Sequence, residues 1–249
     1  MIRSVSHPSG SAWHRTHRAR ARRAWLFFAL IVSVALALAV FGYLAPVDWP
    51  SLGTALLRTL YRLLAAYGIA LIIGVALALL VGASTLIDFF FPVFDVLQNV
   101  PSFALIPLFI YFLGFTDTMI IAFSVTSIIW PILFAVLTAI KSAREDLNDA
   151  AAIFGATGYR RLAYYLAPLS FPAIVTGSIV GIAIGWETVI GAEIIADTSG
   201  FGAFIKSASV NGVNAEVIAG TLAILVLVFV VNRLVWAPLL SESTKRFAE

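Results

Sequence analysis

Long apolar stretches separated by short polar ones dominate the chain. Several of them reach the roughly 20 residues that a helix needs to cross the hydrocarbon core of a membrane. None shows the alternation over about ten residues that is typical of a strand in an outer-membrane barrel. The pattern predicts spans at residues 25–44, 56–82, 86–113, 119–140, 168–189 and 217–240. We therefore predict an all-α integral membrane protein with about six transmembrane helices.

The third predicted span is interrupted. Residues 86–100 lead into Pro101, and residues 102–113 contain Pro107. Together these residues exceed one straight crossing, and each proline removes a backbone hydrogen-bond donor. We expect a broken helix here.

Two other spans carry small residues at intervals of four. They are Ala70, Gly74, Ala78 and Gly82 in the second span, and Gly177, Gly181 and Gly185 in the fifth. This spacing places small side chains along one helix face, where a neighbouring helix can approach closely. We predict helix packing on both faces, within one subunit or between subunits.

The charges set an expected orientation. Residues 1–23 contain six arginines and no acidic residue. Because cytoplasmic segments of membrane proteins are enriched in Lys and Arg, we expect a basic cytoplasmic tail at 1–23, a transmembrane domain at 24–240 and a cytoplasmic tail at 241–249. A plain cytoplasmic tail is favoured over a contact with anionic lipid, and no nucleic-acid partner is expected.

Composition agrees with a membrane protein and excludes several chemistries. Mean hydropathy is +1.00, 61% of the residues are hydrophobic and 12% are charged. Cysteine is absent, and the three histidines lie in the N-terminal tail. A histidine-based catalytic or metal site within the spans is therefore excluded, and we predict no metal site and no cofactor. The chain also lacks a phosphate-binding loop, so we do not expect it to hydrolyse ATP by such a loop. An integral membrane enzyme would need a converging set of nucleophile, base or metal ligands, and the remaining carboxylates, serines and lysines are thinly scattered, so we predict no enzymatic activity.

One polar segment, residues 141–167, interrupts the apolar pattern between the fourth and fifth spans. Its apolar residues fall at helical spacing on both sides of Gly155, which permits a turn that other residues resist. We predict a helix, a glycine elbow and a second helix that ends at Pro168. Two interpretations remain open: an amphipathic loop at the membrane surface, or a rigid knob that inserts into a soluble partner.

The spacing within this segment resembles the Glu-Ala-Ala loop of ATP-binding-cassette importer permeases. That pattern is Glu-Ala-Ala, three residues, Gly, nine residues, Ile, one residue and Leu-Pro. The corresponding positions here are Asp149, Ala150, Ala151, Gly155, Tyr165, Ala167 and Pro168. The chain departs from the pattern at Asp149, Tyr165 and Ala167, which affects the expected partner contacts but not the elbow.

Further stretches resemble the nitrate, sulfonate and taurine branch of these permeases. They are residues 99–108 (NVPSFALIPL) and 112–115 (FLGF), Trp186, Ala192 with Glu193, and the outer segment Gly200, Phe201 and Gly202. The likeness covers roughly residues 54–240.

The resemblance implies a type I importer permease in the plasma (inner) membrane of a bacterium or archaeon. A homodimer of permeases would form the pathway, ATPase subunits would bind the cytoplasmic loop, and an external binding protein would deliver a small solute such as nitrate, a sulfonate or taurine.

The ATPase-coupling residues that the resemblance implies would be Asp149, Ala150, Ala151, Gly155, Ala156, Arg160, Arg161 and Pro168. Pathway candidates are Pro101, Ser102, Trp186, Glu187 and Glu193. An ion-driven secondary transporter is the alternative, supported by the broken third span and Glu187.

The sequence leaves more than one role open for the charged residues near the outer ends of the spans. Glu193 is expected either to bond to backbone or a basic neighbour, or to line the pathway. For Glu187 the structural and pathway interpretations are equally supported, and a carboxylate in the pathway would disfavour an anionic solute. Arg58 and Arg62 are expected to reach the headgroups rather than an aqueous path. The outer segment itself is predicted at 191–216.

Overall fold

The computed structural model describes residues 47–84, 86–143 and 153–247, together with Ser33 and Ala151. The predicted tail 1–23 and, apart from Ser33, the predicted first span 25–44 lie outside the described residues. Asp149 and Ala150 of the predicted coupling loop lie outside them as well.

Seven helices follow one another in the described part of the chain. They are α1 (Trp49–Ala83), α2 (Ile87–Gln98), α3 (Ile106–Leu113), α4 (Asp117–Lys141), α5 (Gly158–Ala196), α6 (Phe201–Val210) and α7, which begins with Asn214–Val231 and continues through Asn232–Trp236 and Ala237–Phe247. A 3-10 turn, Ser102–Leu105, precedes α3. Every regular element in the described ranges is helical, which confirms the all-α prediction.

Four of these helices are long and apolar enough to cross a membrane: α1, α4, α5 and α7. The pair formed by Ile87–Gln98 and Ser102–Leu113 passes the same test as one span with a bend of 79°. The predicted interruption at Pro101 is therefore confirmed. The described residues contain four spans, or five when the bent pair is counted as one, and the count of six stays a prediction because residues 25–44 lie outside apart from Ser33.

The helix α5 is longer than the sequence pattern predicted. The second helix of the polar segment and the fifth span form one helix of 39 residues that continues across Pro168. Proline lacks a backbone N–H and its ring crowds the carbonyl one turn earlier. A wider π turn at Leu162–Leu166 relieves this conflict, and the Ala167 amide donates to the Leu162 carbonyl instead.

The other end of α5 also differs from the prediction. The helix continues past residue 189 to Ala196 and ends at Asp197, which adopts a left-handed backbone conformation with a φ of 51°. Glu193 does not end the helix, because its buried carboxylate accepts hydrogen bonds from other parts of the protein. The helical parts of the predicted outer segment are therefore residues 191–196, α6 and residues 214–216 at the start of α7.

Small residues bring α1, α4 and α5 together at the centre of the fold. A Cβ added at Gly177 on α5 would lie 2.8 Å from the Ile132 Cα on α4, and one at Gly74 on α1 would lie 3.4 Å from the Ile129 carbonyl oxygen. Backbones approach this closely only where side chains are absent. The predicted packing faces are confirmed, and both lie within one subunit.

Apolar side chains cover much of the outside of these helices. Ile72 and Leu57 on α1 are 72% and 67% exposed, and Leu225 on α7 is 59% exposed. Exposed aliphatic side chains along whole helices are typical of surfaces that face lipid or a partner subunit. Trp236 anchors α7 to the bundle through an edge-to-face contact with Tyr67 on α1, with ring centroids 5.9 Å apart.

Candidate functional site

We call the end of the bundle that carries Trp49, Asp117 and α6 the outer end, following the orientation predicted from the tails. The opposite end, with Lys141 and Gly155, is the inner end. Three features carry polar chemistry: a buried ionic cluster at the outer end, a central cavity, and an elbow at the inner end.

Glu193 lies at the heart of the ionic cluster. Its side chain is fully buried, and its carboxylate accepts hydrogen bonds from the Thr59 hydroxyl at 2.9 Å, the Gly202 amide at 2.9 Å and the Arg62 guanidinium at 2.6 Å. A buried carboxylate is tolerated only with this degree of bonding. The interpretation of Glu193 as a residue bonded to backbone and a basic neighbour matches this geometry.

Arg62 joins three parts of the chain at the same place. Besides Glu193, its guanidinium donates to the Asp117 carboxylate on α4, with Nε 3.1 Å from Oδ1, and to the Ser199 carbonyl. The Arg62 side chain is 2% exposed. The expectation that Arg62 reaches the headgroups was wrong, because three acceptors inside the protein replace the water that a guanidinium otherwise seeks. Arg58, one turn earlier, is exposed.

The glycines around Phe201 allow the backbone to close over Glu193. Gly200 has a φ of 130°, and a Cβ there would lie 2.3 Å from a Glu193 carboxylate oxygen. The Phe201 amide donates to the Thr59 hydroxyl at 2.8 Å. Because the first amides of a helix have no partner within it, the start of α6 is a suitable donor to a buried carboxylate. The cluster thus fixes α6 onto α1 and α5.

A cavity of about 600 Å³ lies beside the bend of the third span. Its polar lining comes from Gln98, Ser102, Thr126 and Ser127, and Trp130, Val180 and Ile184 form part of its apolar wall. The buried Ser127 hydroxyl has no hydrogen-bond partner among the described residues. Among the residues that the structure describes, no charged side chain lines this cavity. It can hold a small solute by hydrogen bonds and apolar contact.

The predicted pathway residues separate into two groups. Ser102 lines the cavity, Pro101 is exposed next to it at the bend, and Glu187 is exposed on α5. Trp186 is 7% exposed and belongs to the central core, and Glu193 belongs to the ionic cluster. Neither of these last two lines the cavity.

The inner elbow is built as predicted around Gly155, which has a φ of 70°. The Ala156 amide donates to the Ala151 carbonyl at 2.9 Å, which is the closing bond of a helix that ends at a left-handed glycine. Two residues later α5 begins at Gly158. Arg160 is exposed and Arg161 half-buried, whereas Leu166 is buried in the core that α5 shares with α1 and α4.

Large apolar side chains stand exposed around this elbow. Ile153 is 83% exposed, Phe154 88% and Tyr159 78%. An exposed apolar group of this kind marks a contact surface for lipid or for another protein. Near the same end Lys141 pairs with Asp88 at 2.9 Å and holds the end of α4 against the start of α2.

Several residues of these sites were not predicted from the sequence. Thr59 and Asp117 of the ionic cluster, and Gln98, Thr126 and Ser127 of the cavity, are ordinary polar residues with no motif around them. Thr59 lies on the buried face of α1 three residues before Arg62, and this helical spacing was the available signal. In the described part of the chain, no group of three or more acidic or histidine side chains could hold a metal ion.

A helical bundle with long apolar spans, a bent span and a cavity beside the bend, lined by uncharged side chains in the described part of the chain, is typical of a membrane transport protein. Residues 70–236 match the family described as the binding-protein-dependent transport system inner membrane component, and the chain belongs to this family. This confirms the predicted class of permease and the prediction of a transport component rather than an enzyme. It also confirms a multi-pass location in the inner membrane.

Individual relatives come from the branch that the sequence resembles. The taurine transport system permease protein TauC of Escherichia coli strain K12 is 28% identical over 191 residues, which cover 77% of this chain and 68% of TauC. The nitrate import permease protein NrtB of Leptolyngbya laminosa is 32% identical over 183 residues, covering 71% of this chain and 64% of NrtB. The bicarbonate transport system permease protein CmpB of Synechocystis sp. is 27% identical over 164 residues, covering 65% and 59%. The chain therefore matches about two thirds of the length of these relatives.

Proposed function

We propose that this chain is the permease subunit of a binding-protein-dependent ATP-binding-cassette importer. Two copies form the translocation pathway, separate ATPase subunits bind at the inner end, and an external binding protein delivers the solute. Both termini are cytoplasmic in this arrangement. The family membership supports the class of transporter, and the lack of a phosphate-binding loop in the sequence supports a separate ATPase.

One observation carries the coupling proposal. The helix α5 runs without a break from Gly158 beside the elbow, along the cavity wall at Val180 and Ile184, to Glu193 in the outer ionic cluster. Because the helix is continuous, a displacement of its inner end is carried along its axis. Movement imposed at the elbow by an ATPase therefore reaches the cavity and the outer end.

The elbow has the chemistry of a docking element. Ile153, Phe154 and Tyr159 offer apolar surface, and the neighbouring Arg160 offers a positive charge. Aromatic and arginine side chains are enriched where protein partners bind tightly. The coupling residues of this proposal are Asp149, Ala150, Ala151, Gly155, Ala156, Arg160, Arg161 and Pro168.

The pathway of this proposal passes the cavity beside the bend of the third span. Pro101, Ser102 and Glu187 are its candidates among the residues predicted from the sequence. Gln98, Thr126 and Ser127 join them because they line the cavity. The solute is a small one, and the names of the relatives suggest taurine, nitrate or bicarbonate as the first to test.

Affinity purification in mild detergent tests the assembly. We expect a tagged chain to retain an untagged second copy and an ATPase, and to capture a solute-binding protein when ATP is supplied. The ligand of that binding protein then identifies the solute. Uptake that persists without the ATPase and follows a proton or sodium gradient would contradict the proposal and favour the ion-driven alternative.

A further inference from the structure

The two acidic residues near the outer end of α5 have opposite environments. The Glu193 carboxylate is buried and bonded to Thr59, Arg62 and Gly202. Glu187, fewer than two turns earlier, is exposed, and no hydrogen bond or ion pair engages its carboxylate among the described residues. The ionic cluster therefore accounts for Glu193 and leaves Glu187 without a structural role in the described part of the chain.

The position of Glu187 on α5 places it next to the cavity. Val180, Ile184, Glu187 and Gly191 follow one another at spacings of three and four residues, so they share one helix face. Val180 and Ile184 line the cavity, and a Cβ at Gly191 would lie 2.6 Å from the ring of Phe103 in the bend. Glu187 thus lies on the same face of α5, between Ile184 in the cavity wall and Gly191 beside Phe103, towards the outer end.

We propose that Glu187 sets the charge selectivity of the pathway, favouring a small solute that carries a cationic amino group and disfavouring a solute anion. This inference rests on the proposed function, because it places Glu187 in a path that the solute uses. It names a substrate class, amines and zwitterions with an ammonium group, that differs from simple oxyanions.

Electrostatics supports this assignment because the described side chains that line the cavity are uncharged. Gln98, Ser102, Thr126 and Ser127 supply hydrogen bonds that serve solutes of either sign. Two described carboxylates adjoin the cavity: Asp95, one turn before Gln98, accepts a hydrogen bond from the Gln98 amide at 2.8 Å, whereas Glu187 has no such partner among the described residues. Glu187 is therefore the unpaired negative charge beside the cavity. In a narrow passage with apolar walls, a single unpaired charge attracts cations and repels anions more strongly than it does in open water.

The test uses a cysteine as a local probe, which is possible because the natural sequence contains none. In the full transporter, Ile184→Cys introduces one thiol on the cavity wall, one turn from Glu187. Its reaction rates are measured with two reagents of similar size and opposite charge, trimethylammonium-ethyl methanethiosulfonate and sulfonato-ethyl methanethiosulfonate. The ratio of the two rates, compared between variants, reports the local potential.

We expect Glu187→Gln to lower the preference for the cationic reagent about fivefold, the size expected for one partly screened charge at a distance of one helical turn. Glu187→Asp keeps the charge and should keep the ratio. Glu216→Gln on α7 is the matched control and should leave the ratio unchanged. Val210→Cys, which replaces an exposed residue on α6, confirms that the reagents reach the outer end in every variant.

A ratio that does not change in Glu187→Gln overturns the inference, and so does an equal change in Glu216→Gln. A thiol at position 184 that reacts with neither reagent, with and without ATP, also overturns it, because the cavity is then closed to solutes. A different result would contradict the proposed function, namely that no ATPase co-purifies with the chain. The ratio of the two reaction rates can still be measured in that case.

Discussion

The guanidinium of Arg62 and the carboxylate of Glu193 lie 2.6 Å apart, and both side chains are at most 2% exposed. The pair joins α1 to α5 across 131 positions of sequence. Hydrogen bonds from Thr59 and Gly202 complete the coordination of the carboxylate, and Asp117 and the Ser199 carbonyl complete that of the guanidinium. The outer ends of α1, α4, α5 and α6 are therefore held by one network.

Removing one partner of this pair should be costly. Arg62→Met leaves the Glu193 carboxylate without its cation, and the loss of one partner of a buried ion pair typically costs about 3–5 kcal/mol. For a domain of this size that corresponds to a melting temperature lowered by roughly 10 °C. Thermal unfolding of the purified protein in detergent measures the effect.

Two further variants make this test specific. Arg58→Met removes an exposed arginine one turn away and should change the melting temperature little. The double variant Arg62→Met with Glu193→Met removes both charges and should be more stable than Arg62→Met alone. If Arg58→Met and Arg62→Met lower the melting temperature equally, the buried pair does not stabilise the outer end.

The sequence could identify Arg62 and Glu193 as unusual but could not pair them. Each is a charged residue near the predicted end of a span, and such residues usually reach water or a partner. Whether such a residue reaches water or pairs with another side chain depends on the distance between two helices that are far apart in sequence. The same limit applies to Glu187, whose exposure contrasts with the burial of Glu193 only once the packing of α5 is known.

Gly200 should tolerate no side chain. A Cβ at this position would lie 2.3 Å from a Glu193 carboxylate oxygen, and the φ of 130° is rarely adopted by other residues. We expect Gly200→Ala to displace α6 from Glu193 and to destabilise the protein by about 1–3 kcal/mol. The melting temperature and proteolysis of the 197–213 segment measure the change.

Gly212→Ala is the control for a positive φ without a side-chain contact. Gly212 also has a positive φ, 71°, but a Cβ there would meet nothing within 4 Å. A loss of stability in Gly200→Ala that is no greater than in Gly212→Ala would show that contact with Glu193 contributes nothing.

Gly177 should be equally intolerant for a different reason. A Cβ there would lie 2.8 Å from the Ile132 Cα and from the Pro131 carbonyl oxygen, and backbone atoms cannot move aside as a flexible side chain can. We expect Gly177→Ala to separate α4 from α5 and to lower stability by about 1–3 kcal/mol. Gly68→Ala in α1, where a Cβ meets nothing within 4 Å, is the control and should be neutral or stabilising. Equal melting temperatures of the two variants would contradict the packing argument.

The fold itself was largely predictable, because hydrophobic length alone determines where a helix can cross a membrane. The exception is α5. Pro168 and the polar residues before it indicate a break, and Glu193 indicates an end, yet the helix passes both positions. A π turn at Leu162–Leu166 and the buried partners of Glu193 compensate for these local signals. Neither compensation is visible in a pattern of hydrophobic and polar residues.

Phe154 should contribute to binding of the ATPase. Its side chain is 88% exposed beside the elbow, and a large apolar side chain in that position gains most by entering a groove of a partner. We expect Phe154→Ser to reduce the amount of ATPase that co-purifies with the permease, by about tenfold in affinity. Phe115→Ser is the control, because Phe115 is also exposed, at 62%, but lies at the outer end of the bundle. Equal retention of the ATPase by both variants would contradict docking at the elbow.

Gly155 should determine whether ATP hydrolysis drives transport. Its φ of 70° lies in the left-handed region, which a β-branched residue avoids at a cost of roughly 1–2 kcal/mol, whereas Asn tolerates it. Gly155→Val should therefore deform the turn between Ala151 and α5, while Gly155→Asn should preserve it. Because nothing lies within 4 Å of an added Cβ, the effect comes from the backbone and not from a clash.

We expect Gly155→Val to insert normally into the membrane but to lose most ATP-driven uptake, since a deformed elbow no longer passes movement to α5. Uptake and ATP hydrolysis are measured together in proteoliposomes with the binding protein present. Uptake at the level of Gly155→Asn, with the same stimulation of ATP hydrolysis, would exclude a coupling role for the elbow.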